Sequence, residues 1–138
     1  MSTFVIRNQI RASRERVWEV LMGLMAGADG EPEYERLGDP APHGPGAIKE
    51  IDLFGYPMRE ETTALDPPRR RAYRLISGMP VDSYNGEVTL EEQAGETEIV
   101  WKAVIDSDDP ALTADFAEKC RGILEVAVRF VSERSESE

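Results

Sequence analysis

The sequence has one cysteine, Cys120, and one histidine, His43, among its 138 residues. A single cysteine cannot close a disulfide within the chain or build a cysteine metal cluster, and a single histidine excludes metal sites of the HExxH type. The signatures GxGxxG, GxxxxGK[ST] and GxSxG are also absent from the sequence. We therefore expect this chain to need neither a metal nor a cofactor.

Positive charge is scarce, since the sequence has 16 Lys and Arg residues against 27 Asp and Glu residues, which gives a formal net charge of -11. Such a surface repels phosphate, so we expect no nucleic-acid partner. No stretch approaches the roughly 20 apolar residues that span a bilayer, and Arg7 and Arg11 interrupt the start of the chain where a signal peptide is continuously apolar. We predict a cytoplasmic protein without membrane insertion, with residues 1–138 as one domain.

The hydrophobic pattern predicts strands first and a long helix last. Thr3 to Arg11 alternates with period two, as a half-buried strand does. Ser13 can cap a first helix that ends at Gly27 or Gly30. Residues 31–37 are compatible with a short second helix, and the loop 38–46, which contains His43, could close over a binding site.

Five further strands are expected at 47–53, 58–65, 70–77, 82–92 and 97–106, separated by short Pro- and Gly-containing turns. Turns this short connect antiparallel neighbours. Arg69, Arg70 and Arg71 follow the Pro67-Pro68 turn and are interpreted as a solvated turn. A long helix begins at Asp109 and Pro110, and the tail 132–138 is expected to fray.

Several short matches, in this order and spacing, indicate a known family. They are Ile10-Arg11-Ala12-Ser13, Val17-Trp18, Gly46-Ala47-Ile48-Lys49, Glu60 ahead of Leu65-Asp66-Pro67-Pro68, Tyr73, Gly78, Tyr84 and Glu96-Thr97-Glu98-Ile99-Val100-Trp101. The chain resembles the START/Bet v 1-like superfamily, and within it the SRPBCC proteins described as polyketide cyclase/dehydrase-like. The resemblance implies an α+β helix-grip fold, in which a six- to seven-stranded antiparallel sheet wraps around a long C-terminal helix. It also implies a ligand cavity between them, and no single reaction.

The side chains expected to line that cavity follow from strand parity and from the apolar stripe of the last helix. They are Tyr73, Tyr84, Val88 and Trp101 on strands, and Phe116, Cys120 and Leu124 on the helix. Ordinary core packing is the alternative for each. Glu60 shares the less charged face of its strand, and the resemblance also implies that Glu60 and Tyr84 line the cavity. A buried carboxylate needs a partner, for which Lys49 is the natural counter-charge unless both residues are ordinary surface charges.

Three functions remain open at this point. The first is binding of a small hydrophobic or aromatic molecule in the cavity. The second is a cofactor-independent cyclase or dehydratase that uses Lys49, Glu60, Tyr73 and Tyr84 as its polar groups. The third is a protein-binding regulator, which needs an exposed apolar patch that the sequence does not reveal. A homodimer is compatible with each of them.

Overall fold

A computed structural model describes residues 1–24 and 34–137 of the chain. It contains six strands and two helices within these ranges. In chain order they are β1 (Ser2–Ile10), α1 (Arg14–Gly23), β2 (Ile48–Leu53), β3 (Tyr56–Asp66), β4 (Arg70–Ser77), β5 (Ser83–Gln93), β6 (Glu96–Asp106) and α2 (Pro110–Glu136). The predicted strands and long helix are therefore present, with ends shifted by one or two residues at most positions.

The six strands form one antiparallel sheet in the order β1-β6-β5-β4-β3-β2. Consecutive strands from β2 to β6 are neighbours, as their short turns predict. The first strand, β1, forms one edge of the sheet and pairs with β6 from Ser2↔Ile105 to Ile10↔Thr97. The helix α2 packs against the sheet, chiefly against β1 and β6. This is the helix-grip arrangement expected from the sequence.

The two helices begin at the predicted caps. The Ser13 side chain accepts a hydrogen bond from the backbone N–H of Arg16, and the Asp109 carboxylate accepts from Ala111 and Leu112 with Pro110 in the first turn. Both caps satisfy N–H groups that have no partner inside the helix. The first helix ends at Gly23, whereas Gly27 and Gly30, where we expected its end, lie outside the described residues.

The predicted fraying of residues 132–138 is wrong, because α2 continues to Glu136. Ser132 and Ser135 are buried, and Asn8 of β1 donates a 2.7 Å hydrogen bond to the Ser132 hydroxyl. The backbone N–H of Arg11 donates to the Glu136 carboxylate at 2.9 Å. These contacts to β1 and to the segment after it stabilise the last turns of α2. Local helix propensity alone predicts that such a polar sequence is frayed.

The short second helix predicted for residues 31–37 is not found over residues 34–37, and residues 31–33 lie outside the described residues. Arg36 instead forms an antiparallel bridge with Ile48 at the start of β2. The loop that follows is compact, since Gly38 and Gly44 approach so closely that a Cβ on Gly38 would stand 1.9 Å from the carbonyl oxygen of Gly44. No helix in the described part of the chain is long and apolar enough to cross a membrane.

Candidate functional site

The inner face of the sheet holds a buried ion pair. An Nη2 atom of Arg71 on β4 donates to the Glu60 carboxylate on β3 at 2.6 Å and to the Thr62 hydroxyl at 3.0 Å. The side chains of Arg71 and Glu60 are only 4% and 10% exposed. Removing both charges from water costs several kcal/mol for each, a cost that their mutual attraction offsets only in part. The pair is therefore a costly feature of the core.

The position and the partner of Arg71 contradict two expectations from the sequence. The three arginines after Pro68 were interpreted as a solvated turn, but β4 begins at Arg70, so Arg71 lies inside the strand with its side chain buried. Glu60 was expected to pair with Lys49, and its carboxylate pairs with Arg71 instead. The sequence did indicate that Arg71 faces inward, because it has the same strand parity as Tyr73 and Leu75, both of which are buried, but it did not indicate which residue Arg71 pairs with.

Lys49 lies beside this pair rather than in it. The strand register places Lys49 directly opposite Glu60 and places Ile51 opposite the fully buried Met58. Directly opposed residues share a face of the sheet, so Lys49 lies on the inner face, as its predicted parity requires. Its Nζ donates to the backbone carbonyl of Leu24 at 3.5 Å.

One nitrogen of the Arg71 guanidinium lacks an acceptor. Its Nε is buried and donates to no atom of the described residues. The face of the guanidinium lies over the Tyr73 ring, with Cζ at 4.9 Å from the ring centroid, a cation–π contact. A buried N–H donor without a partner is uncommon in folded proteins. Among the residues that the structure describes, the guanidinium thus has one buried N–H donor without an acceptor.

The Tyr73 ring beneath the guanidinium belongs to a cluster of buried aromatic side chains. Trp101 on β6 donates its indole N–H to the Tyr73 hydroxyl at 3.0 Å. The Tyr73 ring lies 6.1 Å from the Tyr84 ring, and the Tyr84 ring lies 6.4 Å from the Phe116 ring on α2. The predicted residues Tyr73, Tyr84, Trp101 and Phe116 are therefore brought together in one cluster, all of them buried.

Small residues beside Tyr73 make room for its ring. In the register across the sheet, Tyr73 faces Gly86 on β5, and Gly86 faces Ala103 on β6. A Cβ on Gly86 would stand 2.2 Å from Cζ of Tyr73, far inside van der Waals contact. The close approach of the Tyr73 ring to the β5 backbone therefore requires glycine at position 86. Such an approach is one reason why glycine occurs in the interior of a strand.

The remaining predicted lining residues occupy two sides of this cluster. Val88 on β5 faces both Arg71 and Trp101 in the register and is 1% exposed. On α2, Cys120 is buried and Leu124 is half-buried against the core. Phe54, in the turn between β2 and β3, has its ring 6.4 Å from Phe116 although it is itself 43% exposed. Phe54 was not expected from the sequence.

Tyr34 and His43 form a second polar pair near the first. The Tyr34 hydroxyl hydrogen-bonds Nδ1 of His43, and both side chains are half-buried. Burial raises the pKa of Tyr34, an effect that Arg71 opposes and Glu60 reinforces. Burial lowers the pKa of His43, and the positive charges of Arg71 and Lys49 lower it further. These interactions place the Tyr34–His43 pair within electrostatic reach of the buried ion pair and keep the imidazole neutral at pH 7.

Burial also keeps the core hydroxyls and the thiol protonated. It raises the pKa of Tyr73 to about 12, with Glu60 as the next contribution, and it raises the pKa of Cys120 to about 12. The pKa of Tyr84 is raised strongly, first by burial and then by the neighbouring Tyr73. At neutral pH Tyr73 and Tyr84 are therefore hydrogen-bond donors, and Cys120 is not a thiolate nucleophile.

Comparison with known families agrees with this geometry. A family model described as polyketide cyclase / dehydrase and lipid transport matches residues 1–133, nearly the whole chain. The chain belongs to this family. No curated protein matches the sequence.

Solved structures of low sequence identity share the fold of this chain. A Thermobifida fusca protein has a TM-score of 0.76 at 18% identity, covering 98% of this chain and 93% of that one. The Aha1 dimer of Colwellia psychrerythraea has a TM-score of 0.72 at 17% identity, covering 99% and 97%. The di-domain ARO/CYC protein BexL, from the BE-7585A biosynthetic pathway, has a TM-score of 0.62 at 16% identity, covering 97% of this chain and 49% of BexL. At these identities the likeness shows the fold alone.

The chemistry available among these side chains is hydrogen bonding and proton transfer. Arg71, Tyr73 and Tyr84 supply donors, Glu60 supplies a carboxylate, and His43 supplies a neutral imidazole. Sequence reasoning missed Arg71, Thr62 and the Tyr34–His43 contact. Tyr34 and His43 lie in the long connection between α1 and β2, and a hydrophobic pattern does not predict how such a connection folds.

Proposed function

We propose that this protein binds a small hydrophobic or aromatic molecule between the sheet and α2, and that Arg71 hydrogen-bonds an oxygen atom of that molecule. The observation that carries the proposal is the buried Arg71 guanidinium with an unpartnered Nε inside an aromatic cluster. The family to which the chain belongs includes lipid transport in its description, which supports a role in binding.

The buried ion pair costs free energy that an apolar core would not. Apolar side chains of similar volume would fill the same space without desolvating two charges, and such replacements are often neutral or stabilising. The pair is therefore better explained by recognition than by stability. Arginine suits this task because its planar fork donates to carbonyl, enol or carboxylate oxygens and remains charged at any ordinary pH.

The proposed binding residues follow from the geometry around Arg71. Aromatic and aliphatic side chains would contact the apolar body of the molecule, while Glu60 and Thr62 hold the guanidinium in place and Lys49 adds positive charge near it. The residues proposed to contact the molecule are Lys49, Glu60, Arg71, Tyr73, Tyr84, Val88, Trp101, Phe116, Cys120 and Leu124.

Two ligands that differ in one polar group test the proposal. We expect 2-naphthoate to bind, and we expect Arg71→Met to weaken its binding about tenfold or more, the usual effect of losing a hydrogen bond to a charged group. Binding of naphthalene, which has no oxygen, should be unchanged. Isothermal titration calorimetry measures both, and native mass spectrometry of freshly purified protein shows whether a molecule is already bound.

The matched control is Arg70→Met, which removes the neighbouring guanidinium from the outer face, where it pairs with Glu87. Binding of both ligands to Arg70→Met should equal that of the wild type. The double variant Glu60→Leu/Arg71→Met serves if the single variant does not fold. Unweakened binding of 2-naphthoate to a folded protein without Arg71 would contradict the proposal.

A second candidate function is a cyclase or dehydratase acting on a poly-carbonyl substrate. It is favoured by the neutral His43 imidazole beside Tyr34 and within reach of Arg71. Such a base could take a proton from a carbon between two carbonyl groups while Arg71 hydrogen-bonds the oxygen on which negative charge develops. The fold shared with BexL, which is described as an ARO/CYC protein, supports this candidate.

Turnover of a short poly-β-ketone thioester distinguishes the two functions. If the protein is an enzyme, it should consume this substrate with loss of water, and His43→Gln, which removes the base, should reduce turnover about 10²-fold. A carrier should return the substrate unchanged while still binding it. Liquid chromatography with mass detection follows the loss of water, and Arg70→Met again serves as the control variant.

A further inference from the structure

The outward face of α2 carries an exposed apolar pair that the sequence did not reveal. Val126 and Phe130 are 58% and 50% exposed, and they stand one helical turn apart. Beside Phe130 lies a groove of about 300 Å³ between α1 and α2, with Val20 and Leu24 in its wall.

Charges of both signs surround this pair. Glu125, Arg129 and Glu133 lie on the β1 side of α2 and Arg134 lies on its α1 side, and none of the four forms an ion pair with another residue in the described ranges. Two carboxylates and two guanidiniums leave this surface locally neutral, although the chain as a whole has a net charge of -11. A surface with no excess charge is the part of an acidic protein that repels a second copy least.

The spacing of these residues is self-complementary. Two copies of α2 that cross antiparallel about a two-fold axis bring together positions equally distant from the axis. Val126 and Phe130 are equally distant from Val128, whereas Glu125 and Arg129 are equally distant from Ala127. The two midpoints differ by one residue, or about 1.5 Å along the helix. One axis therefore places Phe130 against Val126 of the second copy and also places Arg129 beside Glu125 of that copy.

We propose that the protein forms a homodimer through this face of α2, with Phe130 and Val126 at its centre and the Arg129–Glu125 contact made twice at its edge. The two-fold axis repeats every contact, so the loss of one side chain removes two contacts from the dimer. The surface lies on the solvent side of α2, so the dimer leaves Arg71 and its surroundings untouched and holds whether or not the proposed function is correct.

Sedimentation equilibrium from about 1 to 500 µM tests the dimer. We expect the wild type to dimerise within this range and Phe130→Asp to weaken association at least tenfold, because each copy loses an apolar contact and gains a buried charge. Leu37→Asp, at an equally exposed leucine away from α2, is the matched control and should dimerise as the wild type does. A wild type that remains monomeric at 500 µM, or a Phe130→Asp variant that associates normally, overturns the proposal.

Charge reversal tests the geometry independently of the apolar pair. Arg129→Glu places four carboxylates at the two contacts, and Glu125→Arg places four guanidiniums there, so each variant alone should associate more weakly than the wild type. Mixed in equal amounts, the two variants should form a heterodimer in which both contacts are again of opposite sign. Native mass spectrometry resolves the heterodimer by mass, and failure of the mixture to associate overturns the antiparallel arrangement.

Discussion

Replacing Arg71 with methionine is expected to lower the free energy of unfolding by about 3 to 5 kcal/mol. Methionine fills much of the same space, so the loss arises from Glu60, whose buried carboxylate loses its 2.6 Å partner. Thr62 loses a donor at the same time. Urea unfolding at pH 7, followed by far-ultraviolet circular dichroism, measures the change.

Two further variants separate charge from packing. The double variant Glu60→Leu/Arg71→Met removes both charges and should recover most of the lost stability, since apolar replacements of a buried pair are often neutral or better. Arg70→Met breaks only the exposed pair with Glu87 and should cost less than about 1 kcal/mol. If the double variant is no more stable than Arg71→Met alone, the buried ion pair is not the cause of the loss.

Gly86→Ala is expected to destabilise the protein by about 2 to 4 kcal/mol, a large effect for one added methyl group. The new Cβ would stand 2.2 Å from Cζ of Tyr73, so the ring must move. Such a movement breaks the hydrogen bond that the Tyr73 hydroxyl accepts from Trp101. Thermal unfolding gives the loss of stability, and the near-ultraviolet circular dichroism of Trp101 and the tyrosines reports the displacement.

The cause can be isolated in a background without the Tyr73 ring. In Tyr73→Leu, the added cost of Gly86→Ala should fall below about 1 kcal/mol, because the clashing atoms are gone. Gly122→Ala is the matched control, since a Cβ there meets nothing within 4 Å and the residue is exposed on α2. It should raise stability by about 0.5 to 1 kcal/mol. An equal loss from Gly86→Ala with and without the ring would contradict the steric explanation.

The strands could be predicted because their signal is local. Alternation fixes which residues of β5 and β6 face inward, so Tyr84, Val88 and Trp101 were placed on the buried face from the sequence alone. The Asp109-Pro110 helix start has a similarly local cause. The helix-grip fold then follows from the element order, because only α2 is long enough to cover the sheet.

The partner of Glu60 could not be predicted, because it depends on register between strands. Irregularities in the pairing of β3 with β4 occur next to Glu60 and again between Thr62 and Ala64. A bulge of this kind shifts which side chains meet, and it leaves no mark in the alternation of either strand. Lys49 on β2 lies directly opposite Glu60 on β3, as the pattern indicates. The Glu60 carboxylate nevertheless accepts its hydrogen bond from Arg71 on β4, the strand on the other side of β3.

Pairing of β1 with β6 has a consequence for how the chain is made. The first strand of the sheet finds its neighbour only in the last, so the nine residue pairs from Ser2↔Ile105 to Ile10↔Thr97 cannot form until β6 has left the ribosome. Closing so long a loop is slow compared with forming the hairpins between β2 and β6. Until β6 emerges, the nascent chain presents β1 as a strand without a partner, to which a strand of another chain can add.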